Sequence, residues 1–139
     1  MRTVRDVMSG DIEVLSTGET AADAAGYLAS HVDEAVPLCL SDGSLAGSVS
    51  GRDILAKVIA KGLDPREVRL ADLAEPQDIV ALGIDVSVEE AADVMCRHRR
   101  SRLPVVEADR VVGSVTQRDV VRALAFQPFW ADADLYAGA

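Results

Sequence analysis

The chain is 139 residues long with a formal net charge of −9, and 49% of its residues are hydrophobic. That length and apolar content suit one domain, or two half-domains sharing a core, and exclude a disordered chain. The acidic balance disfavours nucleic acid, whose binding needs a basic face. No run reaches the ~18 apolar residues that span a bilayer, and the opening Met1-Arg2-Thr3-Val4-Arg5-Asp6 is no signal peptide, so a cytoplasmic protein off the membrane is expected.

Taken in chain order, the elements occur twice, each round reading as strand, helix, strand, turn, strand, helix. Thr20-Ala21-Ala22-Asp23 opens the first long helix, and Ser87-Val88-Glu89-Glu90 opens its counterpart. Both fit a capping box, in which hydroxyl and carboxylate each satisfy an unpaired backbone N–H. Ala21, Ala24, Ala25 and Leu28 then form one apolar face, as do Val88, Ala91, Ala92 and Met95. A strand follows at 36–40 or 103–106, with Pro37 or Pro104 early enough for an edge or a strand start. A polar turn at 41–44 or 107–110 leads to a second strand ending at Ser50 or Thr116, completing a hairpin. The closing helix of the first round runs from about 52 to 61 with Gly62 as its C-cap, and Asp64-Pro65-Arg66 is the linker. This divides the chain into a first repeat with linker at 1–66, a second repeat at 67–125 and a tail at 126–139. The tail holds four of the five aromatic residues and matches neither repeat. It either packs on its own domain or docks on a second copy.

The strongest repetition lies where the last strand meets the closing helix. Gly47-Ser48-Val49-Ser50-Gly51-Arg52-Asp53-Ile54 returns as Gly113-Ser114-Val115-Thr116-Gln117-Arg118-Asp119-Val120. Two rounds are too few for a solenoid; two similar half-domains facing each other across two related clefts are expected instead. The hydroxyl of Ser50 or Thr116 can cap the helix, and the Asp one turn on can accept hydrogen bonds from a vicinal diol, as acidic residues do for a ribose. The glycine is expected to help the chain fit a tight turn. A bare helix cap remains the alternative use of the same residues.

Other residues carry plainer expectations. Cys39 and Cys96 have neither metal-ligand nor CxxC spacing and are expected as two buried thiols without a disulfide. Arg97-His98-Arg99-Arg100-Ser101-Arg102 reverses the local sign of charge. It marks either a site for a small anion or a solvated helix end favoured by the helix dipole. His31 and His98, at matched positions, are expected as polar residues of helix ends. No nucleophile stands beside a base and no metal-ligand cluster is visible, so the chain is not read as an enzyme and no cofactor is assigned.

The Gly-x-x-Thr-x-x-Asp element at 113–119, with Arg102-Leu103-Pro104-Val105 and a capped Ala-Ala helix upstream, resembles the CBS (cystathionine-beta-synthase) domain. Two in tandem over about residues 4 to 124 resemble a CBS pair, or Bateman module, similar to the stand-alone two-CBS proteins of actinobacteria. The resemblance implies an α/β (α+β) fold of two beta-alpha-beta-beta-alpha half-domains packed as a pseudo-twofold CBS pair. It also implies a regulatory, non-catalytic module that binds an adenosyl nucleotide of the AMP, ADP or ATP type between the repeats, with S-adenosylmethionine or NAD as further ligands of that class. A ligand-free structural or protein-interaction module is the alternative. Carried onto this chain, one site would combine Ser50 and Asp53 with Val80, Arg100 and Arg102; the other would combine Thr116 and Asp119 with Glu13, Asp33 and Ala35. Arg102 would reach phosphate. Because Asp33 and Glu34 stand where the second repeat is basic, the two clefts are expected to be unequal, with polyphosphate favouring the Asp53 side. A homodimer is expected from the resemblance and from apolar helix faces that one pair leaves uncovered, together with an unidentified effector protein.

Overall fold

A computed structural model describes residues 2–31, 35–74 and 79–125; the tail at 126–139 and the Asp33-Glu34 pair lie outside the described residues. A four-residue helix α1 (Val4–Val7) leads the chain. The first repeat then runs β1 (Leu15–Ser16), α2 (Ala21–Leu28), β2 (Ala35–Cys39), β3 (Leu45–Ser50) and α3 (Gly51–Ile54), which continues as a π-helical turn at Leu55–Ile59. After a 3-10 turn at Leu70–Asp72 the second repeat runs β4 (Leu82–Gly83), α4 (Val88–His98), β5 (Arg102–Glu107), β6 (Arg110–Thr116) and α5 (Gln117–Ala125). The result is a mixed α/β fold with two three-stranded sheets, ordered β1-β2-β3 and β4-β5-β6. In each sheet the short first strand pairs parallel to the second, and the hairpin pairs antiparallel. Even the bulges match, at Leu38/Cys39 and Val105/Val106.

Local chemistry explains the helix starts. Thr20 Oγ1 accepts the Asp23 N–H at 3.3 Å, while Asp23 Oδ2 accepts the Thr20 N–H at 2.9 Å. The Thr20 N–H, and after it the Thr20 hydroxyl 3.1 Å from the same oxygen, hold the Asp23 carboxyl below its ordinary range. At Ser87 only the hydroxyl half of the expected box forms, with the Glu90 N–H at 3.1 Å. Gly62 behaves as the sequence suggests. It takes φ 72° two residues beyond Ala60, where the Gly62 and Leu63 N–H groups donate to the Ile59 and Val58 carbonyls at 3.0 Å.

The two cores are built by exchange. Leu15, Leu28, Val36, Leu38, Val49 and Val58 of the first repeat close over Leu70 and Leu73, which follow the linker. Leu82, Val88, Met95, Leu103, Val105 and Val115 of the second close over Val4 from the start of the chain. Each leading segment is stitched to the opposite repeat by backbone hydrogen bonds. Val4 N–H reaches Val86 O and Arg5 N–H reaches Ile84 O, as Ala21 N–H reaches Val68 O and Leu70 N–H reaches Glu19 O. The hairpin tips also meet, through Leu45 N–H to Asp109 O and Val111 N–H to Gly43 O, both 3.1 Å.

Two expectations are corrected here. Cys39 is buried and burial pushes its thiol up, but Cys96 is exposed, one position past Met95 and so off the apolar stripe of α4. The motif glycines do not fit a tight turn. A Cβ on Gly113 would overlap the Ser9 carbonyl oxygen and meet Met8 Cε at 2.5 Å, and one on Gly47 would meet Ala74 Cβ at 2.8 Å. Glycine is needed because the exchanged leading segment presses onto the last strand.

Candidate functional site

Both motif aspartates serve as helix caps. Asp53 Oδ2 accepts the Ser50 N–H at 2.9 Å and the Ser50 hydroxyl at 3.1 Å, while Ser50 Oγ accepts the Asp53 N–H at 3.2 Å. Asp119 Oδ2 accepts the Thr116 N–H at 2.9 Å, and Thr116 Oγ1 accepts the Asp119 N–H at 3.1 Å. Capping uses one oxygen of each carboxylate. With about four acceptor sites per carboxylate, the cap and a diol are compatible uses of the same residue.

The first cleft has a volume of about 270 Å³ and draws on both repeats. Ser50, Asp53 and Lys57 come from the end of the first; Ile79 and Val80, ahead of β4, and His98 and Arg100, from the end of α4, come from the second. The turn that brings the last two together is Arg99, a left-handed C-cap at φ 53° and ψ 47°. Ser50, Asp53, Val80 and Arg100 are therefore assembled as the motif carry-over expects. Arg102 lies elsewhere. In the β5–β6 register it stands opposite Thr116, just as Ala35 stands opposite Ser50. Each pre-proline residue thus sides with the motif of its own repeat. Arg102 Nη1 donates to the buried Ser114 hydroxyl at 3.1 Å, and that hydroxyl donates to the Asp11 carbonyl at 3.3 Å.

Arg102 lines a second cleft of about 440 Å³ with Asp11, Glu13, Tyr27, His31 and Ala35. Of the other expected members, Asp119 lines a separate cavity of about 260 Å³ with Arg2, Asp6 and Arg122. The chain between them runs against β6, where Ser9 and Ser114 exchange two backbone hydrogen bonds at 2.9 Å. Thr116 and Asp119 are thus not brought into one cavity with Glu13 and Ala35. Asp33 lies outside the described residues.

Several residues escaped the sequence reading. Both histidines line clefts, and His31 stacks on Tyr27 with ring centroids 4.3 Å apart. The signal was their matched position at the ends of equivalent helices. Lys57 follows Asp53 by one helical turn, a spacing at which opposite charges meet, and the pair stands at 3.6 Å. The basic run divides: Arg97 pairs with Asp93 at 2.9 Å on the exposed face of α4, and Arg100 enters the first cleft. The inequality of charge rests only in part on the residues expected: Arg100 is among them, while Lys57, Asp11 and Glu13 replace Arg102, Asp33 and Glu34 in the comparison. Lys57 and Arg100 face Asp53 in the first cleft, whereas Asp11 and Glu13 face Arg102 in the second.

The comparisons agree with this architecture. The CBS domain family model matches residues 4–60 and again 70–126. The chain is 36% identical over 124 residues to Hypoxic response protein 1 of Mycobacterium tuberculosis, covering 89% of this chain and 86% of that protein. The crystal structure of Hypoxic Response Protein I with two coordinated zinc ions superposes with a TM-score of 0.76 at 36% identity, over 88% of this chain and 99% of that one. No group of three or more His, Cys, Asp or Glu side chains among the described residues is arranged to hold a metal ion. CBSX2 in complex with AMP superposes with a TM-score of 0.72 at 28% identity, over 89% and 96% of the two chains. The cytosolic domain of the Mg2+ channel MgtE, in complex with ATP, does so with 0.67 at 28% identity, over 84% and 46%. Two matched units, two matched sheets and these relatives lead to one conclusion: the chain belongs to the CBS-domain family, as a tandem pair.

Proposed function

We propose that this chain is a regulatory, non-catalytic module that binds an adenine nucleotide in the cleft of Ser50, Asp53, Val80 and Arg100. The observation that carries the reading is the make-up of that cleft. A capped carboxylate keeps a second oxygen toward a ribose diol, and Lys57, His98 and Arg100 supply cationic and hydrogen-bonding groups for phosphate. The solved relatives with AMP and with ATP support the ligand class. The second cleft, with Asp11 and Glu13 beside Arg102, suits a ligand of lower negative charge.

A thermal-shift screen of AMP, ADP, ATP, S-adenosylmethionine and NAD tests this. A ligand at ~100 times its dissociation constant stabilises the native state by roughly 2.7 kcal/mol, a rise of several degrees for a chain of this size. No shift from any adenosyl compound at millimolar concentration would leave the ligand-free interaction module as the better reading.

That second reading has its own observation. Leu55, Ile59 and Leu63 are 63%, 52% and 48% exposed, and Val121, the counterpart of Leu55 in α5, is 58% exposed. An exposed apolar residue at the equivalent position of both closing helices suits pairing with a second copy. The homodimer is part of the proposal under either reading. Light scattering at micromolar concentration tests it: a mass of twice 14.7 kDa is expected, and a monomer contradicts it.

A further inference from the structure

Lys57 is not part of the repeated motif. Its counterpart, one turn after Asp119, is the buried Ala123. The closing helices differ at this point. The α5 helix is regular from Gln117 to Ala125, whereas α3 passes into a π-helical turn closed by the Ala60 N–H on the Leu55 carbonyl at 2.8 Å. Such turns occur frequently at functional sites. Lys57 sits within it, with Nζ 3.6 Å from Asp53 Oδ1 and donating to the Leu73 carbonyl at 3.1 Å. Since Asp53 Oδ2 serves the cap, Oδ1 is the oxygen that a ribose diol requires. Oδ2 already accepts two bonds from Ser50, so the two hydroxyls of a diol would fill both acceptor sites of Oδ1 and leave none for the ammonium.

We propose that Lys57 is a selectivity latch, an inference that rests on the reading of this cleft as a nucleotide site. Without ligand, Lys57 holds Asp53 Oδ1. A phosphorylated nucleoside takes that oxygen with its ribose and offers its own anion to Lys57, whose flexible stem lets the ammonium follow. An unphosphorylated nucleoside displaces the ammonium without replacing its partner. The cleft therefore admits nucleotides and rejects nucleosides, and the second repeat, with Ala123, lacks the device.

The test is titration calorimetry of AMP and adenosine against the wild type, Lys57→Met, Lys57→Gln and Lys57→Arg, with melting curves to establish folding. Hydrogen bonds to charged groups contribute about 1.5–3 kcal/mol, so the wild type should prefer AMP over adenosine by about tenfold or more. Lys57→Met or Lys57→Gln should weaken AMP by about tenfold and tighten adenosine; Lys57→Arg should keep the preference. An unchanged AMP-to-adenosine ratio in both neutral variants overturns the latch and leaves nucleotide binding standing. Binding of neither compound to the wild type overturns the underlying reading along with it.

Discussion

Gly113→Ala is the sharpest probe of the exchanged architecture. The new Cβ would overlap the carbonyl oxygen of Ser9, a group that cannot swing aside like a side chain. Two backbone hydrogen bonds of 2.9 Å to Ser114 hold it in place. Relief requires these to lengthen or break, at about 0.5–1.5 kcal/mol each. The exchange of Gly for Ala in a strand interior returns about 0.5–1 kcal/mol. The net loss is about 1–2 kcal/mol, or roughly 3–6 °C in melting temperature for a chain of this length. Gly47→Ala meets a different neighbour, the methyl of Ala74 at 2.8 Å. That methyl has no rotamer and moves only with its own backbone, so Gly47→Ala should also destabilise, by about 1 kcal/mol or more. Urea unfolding followed by circular dichroism, read as midpoints at constant slope, measures both. Either variant proving as stable as the wild type would refute the explanation of the motif glycine by close approach of the exchanged segment.

Other consequences follow from individual residues. Ala108 and Asp109 take φ 53° and 65° between β5 and β6, the backbone of a type I′ turn, which costs an L-residue about 1–2 kcal/mol. Ala108→Gly should therefore raise stability by about 0.5–1 kcal/mol after its greater unfolded-state entropy, and a lower melting point would contradict the turn assignment. Ellman's reagent should label Cys96 rapidly and Cys39 only on unfolding, because Cys39 is buried with its thiol pushed up; two fast thiols would speak against the core assignment. Asp23 is held below its ordinary range by Thr20, so its stabilising contribution is full above that range and is lost as pH falls through the folded value. Asp23→Asn should accordingly lower the urea midpoint at pH 7, and the difference from wild type should shrink toward pH 2; a difference independent of pH would exclude the charged cap.

What could be read in the sequence was what local chemistry determines. Thr20, Ser50 and Thr116 announce helix starts because a hydroxyl followed by a carboxylate three residues on satisfies the unpaired N–H groups. The paired hairpins follow from strand, polar turn and strand. Long-range pairing was not legible. Nothing in Val4 itself assigns it to the second core or Leu70 to the first, and so the glycines that admit those segments looked like turn residues. Arg102 was carried to the wrong side because the motif gives no register, whereas the β5–β6 ladder sets it opposite Thr116. Lys57 was within reach at four residues from Asp53, but its place in the cleft depends on a π-helical turn that no periodicity marks. Cys96 could have been read correctly, since the α4 stripe of Val88, Ala91 and Met95 leaves it outward.

The central claim is that the cleft of Ser50 and Asp53, with Lys57 and Arg100, is the nucleotide site of higher anion affinity. Titration calorimetry of ATP against Asp53→Ala and Asp119→Ala tests it most directly, with melting curves confirming that both variants remain folded. Unit charges about 4 Å apart interact by about 4 kcal/mol at an effective dielectric of 20, and even a third of that separates two sites by about tenfold. ATP binding should vanish with Asp53→Ala and survive Asp119→Ala. Survival with Asp53→Ala and loss with Asp119→Ala would contradict the account.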